Sequence, residues 1–573
     1  MQNKDIANIL AETADLMEIA GDDSFRIRSY RNGASSIEST MEPVEQILAA
    51  PGRSLQEVPG IGKGLAAIIA EIVARGSCLR RDELLQRFPP AALEFLKIQG
   101  LGPKSIALIF EHFGIRTMDD LEQLCVEQKL RHLPRMGAKL EEKVLRSIAQ
   151  YRLRTGRFLL SFASQAAAEL ITHIQELDGI ESVMPAGSLR RGRETVGDLD
   201  LLVTGPNATA ALERVATYPR VHEILGRGAN KTSVKLGREG LQVDVRALPR
   251  ESHGAALQYF TGSQEHNVAI RMRAVRMGLK LSEYGLFRVA DDVMVAGAGE
   301  AEVYAALGLD WIAPELRENC GEIELAEQHA LPALVTRADL RGDVHMHTTE
   351  TDGRATLEEM AEAARELGYQ YIAITDHSKS LAMANGLDEA RVEAFAARVR
   401  RLNESGALGI RVFSGLECDI LKDGAMDLEW DALAALDMVI GSVHSHMNME
   451  PAEMTARLLR ALECPHLRVL GHPTGRLLLQ RDAYPFDFER VAAEAAARGV
   501  ALEINASPER LDLGAQHIRI AKSKGARFII STDAHHPRHL LNMQYGVLTA
   551  RRGGLSTADI LNTRDADGFA ARK

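Results

Sequence analysis

The sequence predicts a chain of several domains: helical domains at the N-terminus, a mixed α/β region in the middle, and a barrel of seven parallel strands at the C-terminus. Its 573 residues are too many for one hydrophobic core. Residues 1–150 have the pattern of short amphipathic helices separated by glycine-containing turns. From about residue 340, apolar strand patterns alternate with amphipathic helices. Seven such units fit a closed barrel better than an open doubly wound sheet.

Composition narrows the class of protein. No apolar stretch approaches the ~18 residues that a membrane span needs. The N-terminus has the pattern of an acidic amphipathic helix, unlike a signal peptide. The five cysteines contain no CxxC pair, so neither a disulfide framework nor a zinc knuckle is indicated. We therefore expect a cytoplasmic protein without a membrane partner.

The net charge is −11, yet basic residues cluster locally at 26–31 and 271–280. Local basic stripes can bind DNA even when the whole protein is acidic.

Three turns in the N-terminal region look alike: VPGIGKG at 58–64, IQGLGPK at 98–104, and a looser LPRMGAK at 133–139. The first two precede apolar helical patterns, which is the helix-hairpin-helix signature. Glycine allows positive φ in the hairpin and lets backbone N–H groups approach a phosphate at the next helix start. Such contacts do not depend on base sequence. The predicted contacts to the DNA backbone are Gly60, Gly62, Lys63, Gly100, Gly102 and Lys104.

Residues 187–200, GSLRRGRETVGDLD, contain two acidic residues next to a predicted strand at 199–203. Asp198 and Asp200 share one face because side chains alternate along a strand. Their carboxylates can bridge two Mg²⁺ or Mn²⁺ ions for in-line phosphoryl transfer. Asp244, on the predicted strand 241–245, is well placed as the third carboxylate.

The same segment begins with a Gly-Ser turn and an arginine pair. Backbone N–H groups at Gly187, the Ser188 hydroxyl and the guanidinium groups of Arg190 and Arg191 can together hold triphosphate oxygens. A D-x-D pattern alone is common, but this combination indicates a nucleotidyltransferase.

The 187–200 motif, together with YFTGS at 259–263, resembles the family X DNA polymerases of the polymerase beta type over about residues 1–317. The resemblance implies a helical 8-kDa-like DNA-binding domain at 1–80, a helix-hairpin-helix fingers-like domain at 81–157, a palm at 158–245, a thumb-like nucleotide-selection domain at 246–317, and a connection at 318–338. The implied substrates are dNTPs and gapped or primer–template DNA, used by a monomer. The implied reaction is attack of the primer 3′-hydroxyl on the α-phosphate.

The resemblance also implies roles for single residues. Ser188 and Arg191 bind the triphosphate tail, with Gly197 in the same pocket. Tyr259 and Phe260 line the sugar pocket beside Gly262, and Asn267 and Arg271 face the minor groove. In the first domain it implies a 5′-phosphate pocket formed by Arg26, Tyr30 and Lys63.

Two positions depart from the family pattern. Ile68 stands where a lyase lysine is found in the eukaryotic relative, and an apolar side chain cannot form an imine. Gln242 stands where the family often has arginine.

In the C-terminal region, histidines and carboxylates follow strands predicted near 340–345, 371–375, 411–416, 437–442, 467–471, 500–504 and 526–531. The carboxyl ends of barrel strands share one rim, where catalytic residues collect. Nine nitrogen and oxygen ligands without cysteine suit two or three Zn²⁺ or Mn²⁺ ions, which lower the pKa of bound water. The predicted ligands are His345, His347, Asp352, His377, Glu417, His444, His472, Asp533 and His535.

This set resembles the PHP (polymerase and histidinol phosphatase) domain, a distorted (β/α)7 TIM-like barrel, over about residues 339–573. The resemblance implies hydrolysis of phosphate esters. Beside a polymerase, it predicts a 3′→5′ exonuclease, with abasic sites and 3′-phosphates as further candidate substrates. The whole chain is then predicted to fill short gaps in base excision repair. Two alternatives stay open. In the first, the chain is a DNA-binding protein whose barrel is only a structural support held together by metal ions. In the second, the C-terminal half is a small-molecule phosphatase of the histidinol phosphate kind.

Overall fold

The computed structural model describes residues 1, 3–40, 42–50, 52–154, 156–237 and 239–571. The chain forms two compact units, Met1–Thr155 and Gly156–Lys573. Within the described ranges, no helix is both long and apolar enough to cross a membrane.

The first unit is helical, as predicted. Ile6, Leu10 and Met17 recur on one face of its first helix and are fully buried, because that helix packs against five others. The helices of this unit are α1 Asn3–Ala20, α2 Ser24–Ser39, α3 Val44–Ala49, α4 Lys63–Arg75, α5 Leu79–Arg87, α6 Ala91–Phe95, α7 Pro103–Phe113, α8 Met118–Val126 and α9 Ala138–Arg154.

The second unit begins with a five-stranded mixed sheet of strand order β2-β4-β7-β6-β5, in which only β4 and β7 are parallel. Apolar residues of α10 and α12 pack against it. The elements are β1 Phe158–Leu159, α10 Leu160–Gln175, β2 Ser182–Pro185, α11 Gly187–Arg190, β3 Thr195–Val196, β4 Asp198–Thr204, α12 Ala208–Ala216, β5 Val221–Arg227, β6 Lys231–Leu236 and β7 Leu241–Ala247.

A smaller α/β region follows, with a three-stranded antiparallel sheet of order β10-β9-β8. Its elements are α13 His253–Thr261, α14 Gln264–Arg276, β8 Leu279–Ser282, β9 Gly285–Arg288, β10 Met294–Ala296, α15 Glu300–Ala306 and α16 Glu322–Glu327. Helix α16 lies in the segment 318–338, which we predict as a connection. Ile323 and Ala326 of this helix belong to the hydrophobic cluster of the α/β region, so the segment begins by packing back onto it.

The C-terminal region is a parallel barrel, which confirms the predicted fold class. Its strands are neighbours in chain order, and a parallel bridge between Met346 and Ala534 brings the first and last strand ends together. The strands are β11 Gly342–Asp343, β12 Tyr371–Ile374, β13 Arg411–Asp419, β14 Met438–Ser442, β15 Leu467–Leu470, β16 Ala501–Asn505 and β17 Phe528–Ser531. The helices are α17 Leu357–Glu366, α18 Glu389–Ser405, α19 Trp430–Leu433, α20 Pro451–Ala461, α21 Phe488–Arg498, α22 Ala515–Ser523, α23 Met543–Arg552 and α24 Ala566–Ala570.

The five-stranded sheet and the barrel share one hydrophobic cluster. Leu511 of the barrel is fully buried within the cluster of the sheet. Leu478, Tyr545 and Leu548 of the barrel pack against the same cluster. The two regions are therefore packed together by apolar contacts.

Candidate active sites

Three carboxylates meet where β4 and β7 lie side by side. The parallel register pairs Asp200 with Asp244, and Asp198 lies two residues before Asp200 on the same face. Burial and the neighbouring Asp198 carboxylate raise the pKa of Asp200 to about 6. The carboxylates repel one another, and a cation bound between them would relieve this repulsion.

Asp244 has a cationic partner. Lys231 Nζ lies 2.6 Å from its Oδ2, and an Arg246 guanidinium nitrogen lies 3.8 Å away. Burial alone would raise the pKa of Asp244, but the Lys231 ammonium and the hydrogen bond from Ser233 together lower it. The amide nitrogen of Gln242 lies 3.5 Å from Asp244 Oδ1. The carboxylate oxygens of Asp198, Asp200 and Asp244 are ligands of the kind that Mg²⁺ or Mn²⁺ prefers.

The segment 187–197, which we call the GS loop, begins directly against the Asp200 carboxylate. A Cβ atom added to Gly187 would lie 2.9 Å from Asp200 Oδ2, and the φ of Gly187 is +59°. Ser188 follows Gly187 within α11. At the other end of the loop, a Cβ atom added to Gly197 would lie 3.7 Å from Arg157 Nη1. Only glycine suits position 187, because any side chain would meet the Asp200 carboxylate.

Arg191, in the middle of the GS loop, is held by two other segments. Its Nε lies 3.1 Å from Glu318 Oε1, and its Nη1 donates to the Thr261 carbonyl. A Cβ at Gly262 would lie 3.0 Å from the same Nη1. The loop and the end of α13 are thus in direct contact.

The residues predicted for nucleotide selection lie together at the junction of α13 and α14. Tyr259 and Phe260 pack edge to face with ring centroids 5.1 Å apart. Asn267 Nδ2 donates to the Tyr259 carbonyl at 2.6 Å, and the Arg271 guanidinium lies 5.9 Å from the centre of the Tyr259 ring. A positively charged and aromatic surface therefore adjoins the GS loop.

The three N-terminal turns have the same backbone. In each, an N–H donates to a carbonyl three residues earlier at 3.1 Å: Ile61 to Val58, Leu101 to Ile98 and Met136 to Leu133. The positive φ falls at Gly60, Gly100 and, in the third turn, the non-glycine Arg135. The helices that follow begin after Gly62, Gly102 and Gly137, and Lys63 and Lys104 are exposed. The looser sequence of the third turn thus still forms the same hairpin.

The residues predicted for a 5′-phosphate pocket differ in exposure. Arg26 and Lys63 are exposed, whereas Tyr30 is buried and burial raises the pKa of its hydroxyl. Ile68 is half-buried and packs against the helical core. This position therefore presents an apolar side chain that packs inward.

In the barrel, the fully buried Glu417 lies at the centre of the predicted ligand set. Its carboxylate oxygens are within 3.5 Å of five imidazoles: His345 at 3.4 Å, His347 at 3.5 Å, His377 at 3.0 Å, His444 at 3.3 Å and His472 at 3.0 Å.

Two further carboxylates complete the cluster. Asp533 Oδ1 lies 3.2 Å from His347 Nε2, and Asp352 Oδ2 lies 3.5 Å from a nitrogen of both His377 and His535. The ligand atoms form three groups, each within 4.8 Å: His347, Asp352, His377 and His535; His345, His347 and Asp533; His377, Glu417 and His444. The structure thus brings all nine predicted ligands together, with His472 outside the three groups but in contact with Glu417.

The cluster fits bound cations. Among the described residues, the buried nitrogens His345 Nε2, both of His347, His377 Nδ1 and His472 Nδ1 have no hydrogen-bond partner of good geometry. Orphaned buried nitrogens are costly, and metal ions would satisfy them. Although burial opposes it, the surrounding imidazoles hold the pKa of Glu417 and Asp533 well below the ordinary carboxyl range. The carboxylates are therefore ionised and available as ligands.

Sequence reasoning missed three residues around this cluster. Glu503 on β16 lies 2.6 Å from His345 Nδ1, and Asp419 lies 2.5 Å from His444 Nδ1. Such partners orient a ligating imidazole through its second nitrogen. Arg510 Nε lies 3.5 Å from Asp533 Oδ2. The signal for Glu503 was present, because a carboxylate between the apolar residues Leu502 and Ile504 of a buried strand is unusual.

Comparisons with known families match four stretches of the chain: a helix-hairpin-helix domain at 1–78, a SAM-like helix-hairpin-helix tandem at 92–150, a DNA polymerase beta thumb at 256–318 and a PHP domain at 343–507. A Bacillus subtilis protein named DNA polymerase/3'-5' exonuclease PolX is 35% identical over 576 residues, covering 100% of both chains.

Two other relatives match only part of the chain. DNA polymerase lambda of Arabidopsis thaliana is 25% identical over 55% of this chain and 62% of its own. A probable phosphatase of Syntrophotalea carbinolica is 27% identical over 38% of this chain and 90% of its own. Because the Bacillus protein matches from end to end, the chain belongs to the family X DNA polymerases that carry a C-terminal PHP domain.

Proposed function

We propose that the protein extends a primer in short DNA gaps during repair of the base excision type, and that its barrel degrades DNA in the 3′→5′ direction. One observation carries the first half: three carboxylates lie on adjoining strands, and the GS loop begins at Gly187 against one of them, Asp200. The second half is supported by the nine-ligand cluster in the barrel and by the name of the full-length Bacillus relative.

In the palm, Asp198, Asp200 and Asp244 would hold two Mg²⁺ or Mn²⁺ ions. Such ions neutralise charge that develops during phosphoryl transfer. The GS loop, through Ser188 and Arg191, binds the triphosphate of a dNTP.

The other residues of the palm side select and position the substrate. Tyr259 and Phe260 line the sugar, and Asn267 with Arg271 contacts the minor groove at the new pair. The hairpin amides hold the DNA backbone on either side of a gap, independently of sequence.

In the barrel, the nine ligands would hold two or three Zn²⁺ or Mn²⁺ ions, which activate water for hydrolysis of phosphate esters. Glu503 and Asp419 orient His345 and His444, and a DNA 3′ end enters beside Asp352 and His535, which are the most exposed of the nine side chains. Cleavage at abasic sites and removal of 3′-phosphates use the same chemistry and belong to the proposal.

The two sites are tested with one labelled primer–template. Asp200→Ala should abolish nucleotide addition, with a loss of at least ~10³ in rate, and leave 3′→5′ degradation intact. His345→Ala should do the reverse. If Asp200→Ala abolished both activities in a folded protein that still binds DNA, degradation would belong to the palm and the barrel would be a support.

The match to a probable phosphatase favours a second candidate for the barrel alone, hydrolysis of a small phosphomonoester. The discriminating assay compares the primer–template with histidinol phosphate under the same metal conditions. Hydrolysis of the small ester without degradation of DNA would replace the exonuclease proposal.

A further inference from the structure

The GS loop lies against a helix of the barrel. A Cβ at Gly192 would lie 3.2 Å from Leu548 Cβ on α23. Arg552, at the end of the same helix, is buried and reaches the loop: its Nη1 lies 3.2 Å from Glu194 Oε2 and 3.5 Å from the Gly192 carbonyl. A barrel residue thus contacts the loop predicted to bind the nucleotide triphosphate.

Glu318 joins Arg552 to the two arginines of the loop. Its Oε1 lies 3.1 Å from Arg191 Nε and 3.5 Å from Arg552 Nη2, and its Oε2 lies 3.3 Å from Arg193 Nη1. Glu318 is therefore shared among three guanidinium groups, one of which comes from the barrel. Arg191, the proposed triphosphate ligand, is at present paired with this carboxylate.

Glu194 is held from the barrel side as well. Arg476 Nη2 lies 3.6 Å from Glu194 Oε1, and Arg476 also donates to the backbone carbonyls of Arg510 and Leu511. Two barrel arginines thus compensate a carboxylate that lies within the loop.

Removal of Arg552 changes the competition for Arg191. Glu318 would lose one of its three cationic partners and, still largely buried, would pair more strongly with Arg191. An incoming triphosphate would have to displace that stronger pair. The three palm carboxylates have no contact with Arg552 among the described residues, so the chemical step itself is left as it was.

We propose that Arg552 is a positioning residue for nucleotide addition, which competes with Arg191 for Glu318 and so weakens the pair that the triphosphate of the incoming nucleotide must displace. This inference rests on the proposed polymerase function. It assigns the barrel a part in the polymerase reaction that is separate from hydrolysis.

The test measures kcat and KM for a dNTP on a gapped primer–template with the full-length chain. Arg552→Gln should raise KM about tenfold, equivalent to one charge-assisted contact, and change kcat less than twofold. Arg552→Lys should restore part of the loss. Glu318→Gln alone should lower KM, a gain that misfolding cannot produce, and combined with Arg552→Gln it should return KM toward the wild-type value.

Arg551→Gln is the matched control. Arg551 lies next to Arg552 on α23 and pairs with Glu315 at 2.7 Å and with the Val335 carbonyl, away from the GS loop. The KM of the Arg551→Gln variant for the dNTP should stay at the wild-type value. An unchanged KM in Arg552→Gln, an equal rise in Arg551→Gln, or no rescue by the double variant would each overturn the inference. A wild-type chain that adds no nucleotide would overturn the proposed function instead, so the two failures are distinguishable.

Discussion

Replacement of Asp200 by asparagine should stabilise the metal-free palm while it destroys nucleotide addition. The pKa of Asp200 is raised from 3.8 to about 6, because burial and the Asp198 carboxylate disfavour its charged form. A raised pKa of a carboxyl group means that the ionised form is penalised in the folded protein. The penalty is fully present above pH 6 and disappears below pH 3.8. The Asp200→Asn variant has no charge to penalise.

The magnitude follows from the two pKa values. At pH 7.5 the penalty amounts to about 3 kcal/mol, and at pH 5 to about 1.6 kcal/mol, since each pKa unit corresponds to ~1.4 kcal/mol. In EDTA, Asp200→Asn should therefore raise the opening free energy of β4 by about 3 kcal/mol at pH 7.5 and by roughly half of that at pH 5. Mg²⁺ should reduce this difference in opening free energy between the variant and the wild type, because it compensates the Asp200 charge in the wild type.

Hydrogen exchange of the peptide 198–204 is the assay, because it reports local opening in a chain too large for two-state unfolding. Glu223→Gln, which removes an exposed carboxylate from β5 of the same sheet, is the control and should leave the opening of β4 nearly unchanged. The reasoning is refuted if Asp200→Asn leaves β4 unchanged in EDTA, or stabilises it equally with and without Mg²⁺.

Three further predictions concern other parts of the chain. Arg190 and Arg317 lower the pKa of the buried Glu300 to about 2 against the effect of burial, so Glu300→Gln should destabilise the thumb by about 3 kcal/mol at pH 7. Because the pKa is lowered, this contribution is fully present above pH 4.5, and the difference in hydrogen exchange of α15 should shrink as pH falls toward 2. Borohydride should not trap the helical domain on a 5′-deoxyribose-phosphate end, since Ile68 cannot form an imine; efficient trapping would show that another amine acts. Lys63→Gln should reduce the preference for gaps with a 5′-phosphate over a 5′-hydroxyl at low salt, and equal filling of both substrates by the wild type would contradict a phosphate pocket.

Local patterns predicted most of the fold. The barrel strands were predictable because strands buried on both faces are short apolar runs bounded by turns. The shared face of Asp198 and Asp200 followed from the two-residue period of a strand. Helix α16, in contrast, has only six residues, too few to show a helical period, and it is stabilised by packing of Ile323 and Ala326.

Contacts between distant residues were not predictable. Arg552 and Glu194 are 358 positions apart, and an ion pair at that separation leaves no trace in either local sequence. The meeting of the nine side chains was predictable from strand ends, but not the central place of Glu417 among five imidazoles, because spacing does not determine how far each side chain reaches. Glu503 was missed for a related reason: its role depends on His345, which comes from the opposite end of the barrel sequence.

The hydrophobic cluster shared by the sheet and the barrel has a consequence for where this chain can be cut. A truncation at residue 338 follows the domain boundary predicted from sequence, yet it would uncover the apolar surface that Leu511, Leu478, Tyr545 and Leu548 cover. The remaining fragment would expose a hydrophobic surface and tend to self-associate. The excised barrel would expose the complementary hydrophobic surface. Loss of activity in such a fragment would therefore show that its packing is disrupted, not that the removed barrel contributes catalytic residues. Point substitutions within the intact chain are the cleaner way to separate what the two halves do.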